Sequence, residues 1–299
     1  MEDLKKALQS PFKKGIILGT LNSKGYFKCF RENVYDNQMD EEHQKMFNHG
    51  SGGELHSKAR AVHSSSMLGY NFFSWIDESH PFIWEDIIYT KVYFEVQLRT
   101  IKRSPAPANM DIVLEGQKDG KRVLMFIESK FLEYSTVGKY TLSESYSDSK
   151  KYFGGCEEWS HIDHEMRIET RSEEKRYNEG LKQSFCHLVA LNALHNTDAL
   201  KWFNQNNGSL NIHNLADVEI RFMNAIFCPL EDFDEYEKYC DYEDYYSWFM
   251  HFIKRIAPHS VQPKWFNYSQ IWNEMKIQIK DPKRIEYIQH RYMDFAKKC

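Results

Sequence analysis

The stretch that most constrains this chain is residues 110–134, MDIVLEGQKDGKRVLMFIESKFLEY. Two apolar runs flank Asp119-Gly120, a pair that supplies the positive φ angles of a tight hairpin turn. The pattern predicts strand, turn, strand. If the hairpin turns symmetrically about that pair, Asp111 lies opposite Glu128, Val113 pairs with Phe126 on the same face, and Ile112 pairs with Ile127 on the other. Side chains alternate along a strand, so Lys130 shares the face of Glu128. Directly opposed Cβ atoms sit about 4.5–5.5 Å apart, and like charges there are destabilising. Two carboxylates so placed must share a proton, accept a cation or borrow Lys130. A hard divalent ion such as Mg²⁺ is the natural third party, because it takes carboxylate oxygens, keeps waters and accepts substrate phosphate. A lysine beside it could orient or deprotonate a water and stabilise charge developing on a phosphate.

Around this hairpin the periodicity alternates between helix and strand. Residues 54–76 have helical spacing, with Ala61, Met67, Leu68, Phe72 and Trp75 near one face. Residues 91–100 alternate as a strand, with Val92, Phe94, Val96 and Leu98 against Tyr93, Glu95 and Gln97. The prolines of SPAPAN (104–109) break the chain. Residues 135–176 are rich in Ser, Tyr and charge and read as a long insertion or flexible loop. A helix is expected at 178–195 and a strand at 218–230, followed by helices at 245–256, 268–279 and 284–298. The first fifty residues are mixed and polar and end in the glycine-rich loop 50–53.

Composition narrows the function classes. The 299 residues carry a formal net charge of −4, so no global positive field marks a nucleic-acid binder. Charge is uneven, however. Residues 1–31 hold seven Lys/Arg against two acids, 262–299 hold eight against four, and 231–244 carry eight acids and one Lys. The basic ends suit either phosphate contacts or an ordinary solvated surface. No apolar run is long enough to span a membrane, and the first residues lack the apolar stretch of a secretory signal, so a cytoplasmic protein is the expectation. Six cysteines without a C-x-x-C pair argue against a disulfide framework or a zinc ribbon. Cys156, His161 and His164 have ligand types that suit Zn²⁺, but no fourth ligand lies at a familiar spacing, and no zinc site is expected there.

Asp111, followed after sixteen residues by Glu128-Ser129-Lys130 on a β-hairpin, resembles the signature of the PD-(D/E)xK nuclease superfamily. That family's core order of helix, three strands, helix and strand is matched by 54–76, 91–100, 110–117, 121–132, 178–195 and 218–230. More narrowly, HSSSMLGYNFF (63–73), FIESKFLEY (126–134) and YNEGLKQSFCHL (177–188) are similar to a bacterial branch of restriction-endonuclease-like proteins. The tripeptide E-x-K alone is uninformative, since Glu173-Glu174-Lys175 and Glu274-Met275-Lys276 also fit it; only Glu128 lies on an apolar strand opposite another acid. The residue before Asp111 is Met110 rather than the proline of the motif's name, a departure that many members share.

The resemblance implies an α/β fold: a restriction-endonuclease-like αβββαβ core over 54–230, with a mixed central sheet flanked by helices and an insertion at 135–176. An N-terminal extension (1–53) and a C-terminal helical region (231–299) would complete it. It implies a Mg²⁺-dependent endonuclease, with Mn²⁺ as a substitute, that hydrolyses DNA phosphodiester bonds and leaves a 5′-phosphate. Asp111 and Glu128 would bind the metal, Lys130 would serve the attacking water, and Gln183 would help orient the site. Glu95 would supply a further metal-binding acid, although a Glu on the polar side of a half-buried strand equally faces water. His187, one turn after Gln183, reads first as a packing histidine. Ser64, Ser65, Ser66 and Asn71 suit either the site or capping and packing roles. A homodimer would suit double-strand cleavage. The alternatives are a non-catalytic nucleic-acid- or protein-binding module on the same scaffold, and an RNA-directed nuclease.

Overall fold

Asp119 and Gly120 both adopt left-handed φ angles, of 51° and 76°, and join two strands with the register that their sequence predicts. This computed structural model describes residues 3–50, 53–102, 106–135, 142–155, 157–169 and 179–298. Its strands are β1 (Phe82–Trp84), β2 (Ile87–Leu98), β3 (Ala108–Lys118), β4 (Lys121–Lys130), β5 (Val218–Ile226) and β6 (Pro263–Asn267). Ile112 pairs with Ile127 and Val113 with Phe126 across β3 and β4. Among the described residues one six-stranded sheet runs in the order β1 to β6. β1 to β4 are antiparallel neighbours, whereas β5 lies parallel to β4 and β6 parallel to β5. β4, in the middle, is buried from Val123 onward, as a strand covered on both faces must be.

The helices are α1 (Leu4–Ala7), α2 (Ser10–Lys13), α3 (Glu41–His49), α4 (Ser65–Phe73), α5 (Glu157–Glu169), α6 (Glu179–Ala193), α7 (Thr197–Asn206), α8 (Glu235–Ile256), α9 (Tyr268–Met275) and α10 (Pro282–Arg291). α4 lies directly on the hairpin: a Cβ on Gly69 would stand 2.6 Å from Ile112 Cδ1 and 3.5 Å from Ser129 Cβ. The opposite face carries α6 and α7, with Phe203 of α7 against Phe126 and His187 of α6 beside Glu128. The fold is therefore α/β, with a mixed sheet between helices, as expected.

Several expectations need correction. Residues 54–76 do not form one helix; two 3₁₀ turns at Glu54–His56 and Lys58–Arg60 precede the shorter α4. The reason is tertiary. Asn33 donates to the carbonyls of Ala59 and Ala61, Phe27 N–H to Arg60 O, and Val62 N–H to Gly25 O, so this backbone pairs sideways instead of along a helix. Within 135–176, the described residues are ordered rather than a flexible loop: Trp159, Ile162 and Met166 of α5 are buried, and Arg167 pairs with the fully buried Asp163. A stripe of three apolar positions among charged ones is too narrow to announce a helix. The polar-looking N-terminal region contributes Leu4, Phe12, Phe27, Val34 and Phe47 to the core. α8 begins ten residues before the expected 245, inside the acidic run, because Tyr239 and Tyr242 extend its buried face. β1, β6, α1, α2, α3 and α7 are additional elements. Glu173–Lys175 and Cys156 lie outside the described residues.

Candidate active site

Asp111 stands where the hairpin ladder stops. Beyond the Ile112–Ile127 pair, the Ser129 N–H donates to Asp111 Oδ2 at 2.7 Å, so the carboxylate replaces a backbone acceptor. Phe94 pairs with Ile112 and Val96 with Met110, which sets Glu95 across the ladder from Asp111 on the other side. Three neighbouring strands thus bring Glu95, Asp111 and Glu128 to one end of the sheet. Glu95 has a left-handed φ of 52°, uncommon for a residue with a Cβ, and packs so closely on Gly50 that a Cβ there would lie 2.9 Å away. Its Oε2 accepts from Asn109 Nδ2 at 3.0 Å.

Glu128 and Lys130 are almost wholly buried, at 2% and 3% exposure. Lys130 Nζ donates to Glu128 Oε1 and, at 2.5 Å, to Gln183 Oε1 of α6. Ser129, whose side chain faces α4, is held by the Ser65 carbonyl at 2.9 Å and the Tyr268 hydroxyl at 2.6 Å. Helices on both faces therefore fix the tripeptide. Asp111, Glu128, Lys130 and Gln183 open onto a cavity of about 720 Å³, with Lys58 and Lys182 also in its wall.

Burial and charge crowding together set the electrostatics. Burial and then the neighbouring Glu128 carboxylate hold the Asp111 carboxyl well above the usual carboxylate range, against the pull of Lys130. Burial, reinforced by Glu54, pushes Glu95 up to about 7. Lys130 moves the opposite way to a lone buried lysine. Burial works against its ammonium, but Glu128, Glu133 and Asp111 outweigh it and keep the group above the ordinary lysine range. Burial lowers His187 despite the Glu128 carboxylate beside it.

Asp111, Glu128, Lys130 and Gln183 line one cavity. Glu95 lines the same cavity, but among the described residues no three His, Cys, Asp or Glu side chains gather as a metal-ligand group. The Glu95 carboxylate is engaged by Asn109 and its side chain packs against Gly50. The donors do fit an ion held by two carboxylates, waters and a phosphate. Glu128 Oε2 is buried without a hydrogen-bond partner, and Asp111 is a carboxyl that only a proton or a cation relieves. Ser64 caps α4 through Met67 N–H, and the buried Asn71 bonds Tyr35 N–H, Asn33 O and the Tyr292 hydroxyl, so both are structural. Ser65 and Ser66 reach the cavity wall. Sequence reasoning missed Tyr268 as a support of Ser129 and the place of His187 against Glu128; only the latter had a signal, its spacing one turn from Gln183.

Comparison of the chain with protein families, curated proteins and solved structures finds no match.

Proposed function

We propose that the cavity is the active site of a metal-dependent endonuclease that hydrolyses DNA phosphodiester bonds, on a restriction-endonuclease-like core. The observation that carries this reading is the convergence of Asp111, Glu128 and Lys130 on one cavity, with a buried carboxylate oxygen left unpartnered. With β1, α5 and α7 inserted, the succession α4, β2, β3, β4, α6, β5 supports it, because this is the helix and strand order that the resemblance implies.

Asp111 and Glu128 are the residues that would hold Mg²⁺ or Mn²⁺, and the ion, when bound, would polarise the phosphate and acidify a water. Lys130 remains an ammonium between carboxylates, so its part is orientation and charge stabilisation rather than proton abstraction. Two of its three N–H groups go to Glu128 and Gln183, which leaves one for the attacking water or a phosphate oxygen. Gln183 holds that geometry from α6. Lys58 and Lys182, in a wall that also holds Glu54 and Glu133, are the side chains that would meet the flanking phosphates.

Nicking of supercoiled plasmid with Mg²⁺ or Mn²⁺ tests the reading. Asp111→Ala and Lys130→Ala are each expected to lower the rate at least ~100-fold. Cleavage that survives Asp111→Ala in purified protein defeats the mechanism. Parallel DNA and RNA substrates of one sequence decide between the two polymers. One feature favours the second reading, a non-catalytic binding module: three metal donors are not gathered among the described residues. That module would show neither nicking nor divalent-ion affinity.

A further inference from the structure

Two buried acceptor atoms lie close together on residues that line the cavity. His187 Nε2 lies 3.0 Å from the Asn109 carbonyl oxygen, and a carbonyl only accepts, so Nε2 carries the ring proton. Nδ1 of the neutral ring is then a bare acceptor, and it stands 3.3 Å from Glu128 Oε2. Neither atom has a hydrogen-bond partner, and the two side chains are only 3% and 2% exposed. The other oxygen of Glu128 is taken by Lys130, so Oε2 has no cation of its own. Two acceptors at that distance repel unless something positive joins them. A metal ion about 2.1 Å from each of two donors at a right angle sets those donors about 3 Å apart, close to what is found. The remaining alternative is a proton on Nδ1, which would turn the contact into a plain ion pair.

We propose that His187 Nδ1 and Glu128 Oε2 are adjacent donors to one divalent ion, and that the imidazole makes the site prefer Mn²⁺ to Mg²⁺. The preference follows from ligand type: imidazole suits first-row transition ions, whereas Mg²⁺ seeks oxygen. The proposal rests on the metal-dependent reading of the cavity and adds to it a ligand from α6. Asp111, across the hairpin, lines the same cavity.

Calorimetric titration of the EDTA-treated full chain with Mn²⁺ and Mg²⁺, together with pulsed EPR of the Mn²⁺-loaded protein, tests it. Wild type is expected to bind Mn²⁺ at least ~10-fold tighter than Mg²⁺ and to show imidazole ¹⁴N couplings. His187→Gln keeps an N–H for the Asn109 carbonyl but no donor at Nδ1; with its fold confirmed by circular dichroism, it should lose at least ~10-fold in Mn²⁺ affinity and all ¹⁴N coupling. His187→Asn sets an oxygen near the Nδ1 position and should recover binding without ¹⁴N coupling or Mn²⁺ preference. Wild-type binding without ¹⁴N coupling, unchanged in His187→Gln, overturns the role of His187 and leaves the nuclease reading standing. Wild type that binds neither ion overturns both.

Discussion

At the scale of single residues, the carboxyls at the sheet end act against the fold that carries them. Asp111 is raised by burial and by Glu128, so its ionised form is disfavoured in the metal-free protein. Asp111→Asn retains an acceptor for the Ser129 N–H while removing the charge. It is expected to raise the melting temperature in EDTA by at least ~2 °C, and to abolish nicking; a lower melting temperature contradicts the crowding. The pH dependence follows from the same groups. Glu95 is raised to about 7, so between the ordinary carboxylate range and pH ~7 the folded protein holds more protons than the unfolded chain. Metal-free stability should therefore fall as pH rises through that window, by at most about 1.4 kcal/mol per pH unit for one proton. Thermal melts in EDTA between pH ~5 and ~7.5 measure the slope, and Glu95→Gln, which still accepts from Asn109, should lessen it, with the raised Asp111 supplying the remainder.

At the scale of elements, backbone proximity sets the tolerance of each position. Gly116 of β3 lies under a register shift between Tyr89 and Lys91, where a Cβ would meet the Ile88 carbonyl oxygen at 2.5 Å. Nothing flexible gives way there, so Gly116→Ala should cost at least about 3 kcal/mol in urea unfolding. Gly120 has open space around it and only its φ of +76° to protect, so Gly120→Ala should cost about 1–2 kcal/mol. Equal costs would mean that the turn, not the bulge, sets the hairpin. The edge of the sheet shows similar economy. The Gln278 amide accepts from Ile83 N–H and donates to Ile83 O, both at 2.8 Å, which blocks strand addition at β1.

At the scale of the whole molecule, the chain's two ends are joined through one buried cation. Arg291 of α10 is fully buried, donates to Asn33 Oδ1 and Val62 O, and has its guanidinium over the rings of Phe12 and Phe27. Residues from Leu4 to Ala296 belong to one hydrophobic cluster, so both terminal regions complete the core of the sheet. Arg291→Ala should destabilise by about 3–5 kcal/mol, because Asn33 and the Val62 carbonyl lose their donor and the aromatic stack its filling. Urea unfolding followed by far-ultraviolet circular dichroism measures this; a loss under 1 kcal/mol would contradict the joined ends.

What the sequence determined by itself is local. Asp119-Gly120 fixes the turn, the turn fixes the register, and the register sets Asp111, Glu128 and Lys130 at one end of the hairpin, since side-chain alternation follows from backbone geometry alone. The strand at Val218–Ile226 and the helix that carries Gln183 were legible for the same reason. What only the tertiary structure decided depends on partners far away in the chain. Residues 59–62 abandon a helical pattern because Asn33 and residues 25–27 bind their backbone. Glu95 leaves the ordinary strand conformation under Gly50, and His187 meets Glu128 through helix packing across 59 residues of sequence. Hydrogen bonds and burial across such separations have no period in the sequence, so they emerge only when the sheet and its helices are assembled.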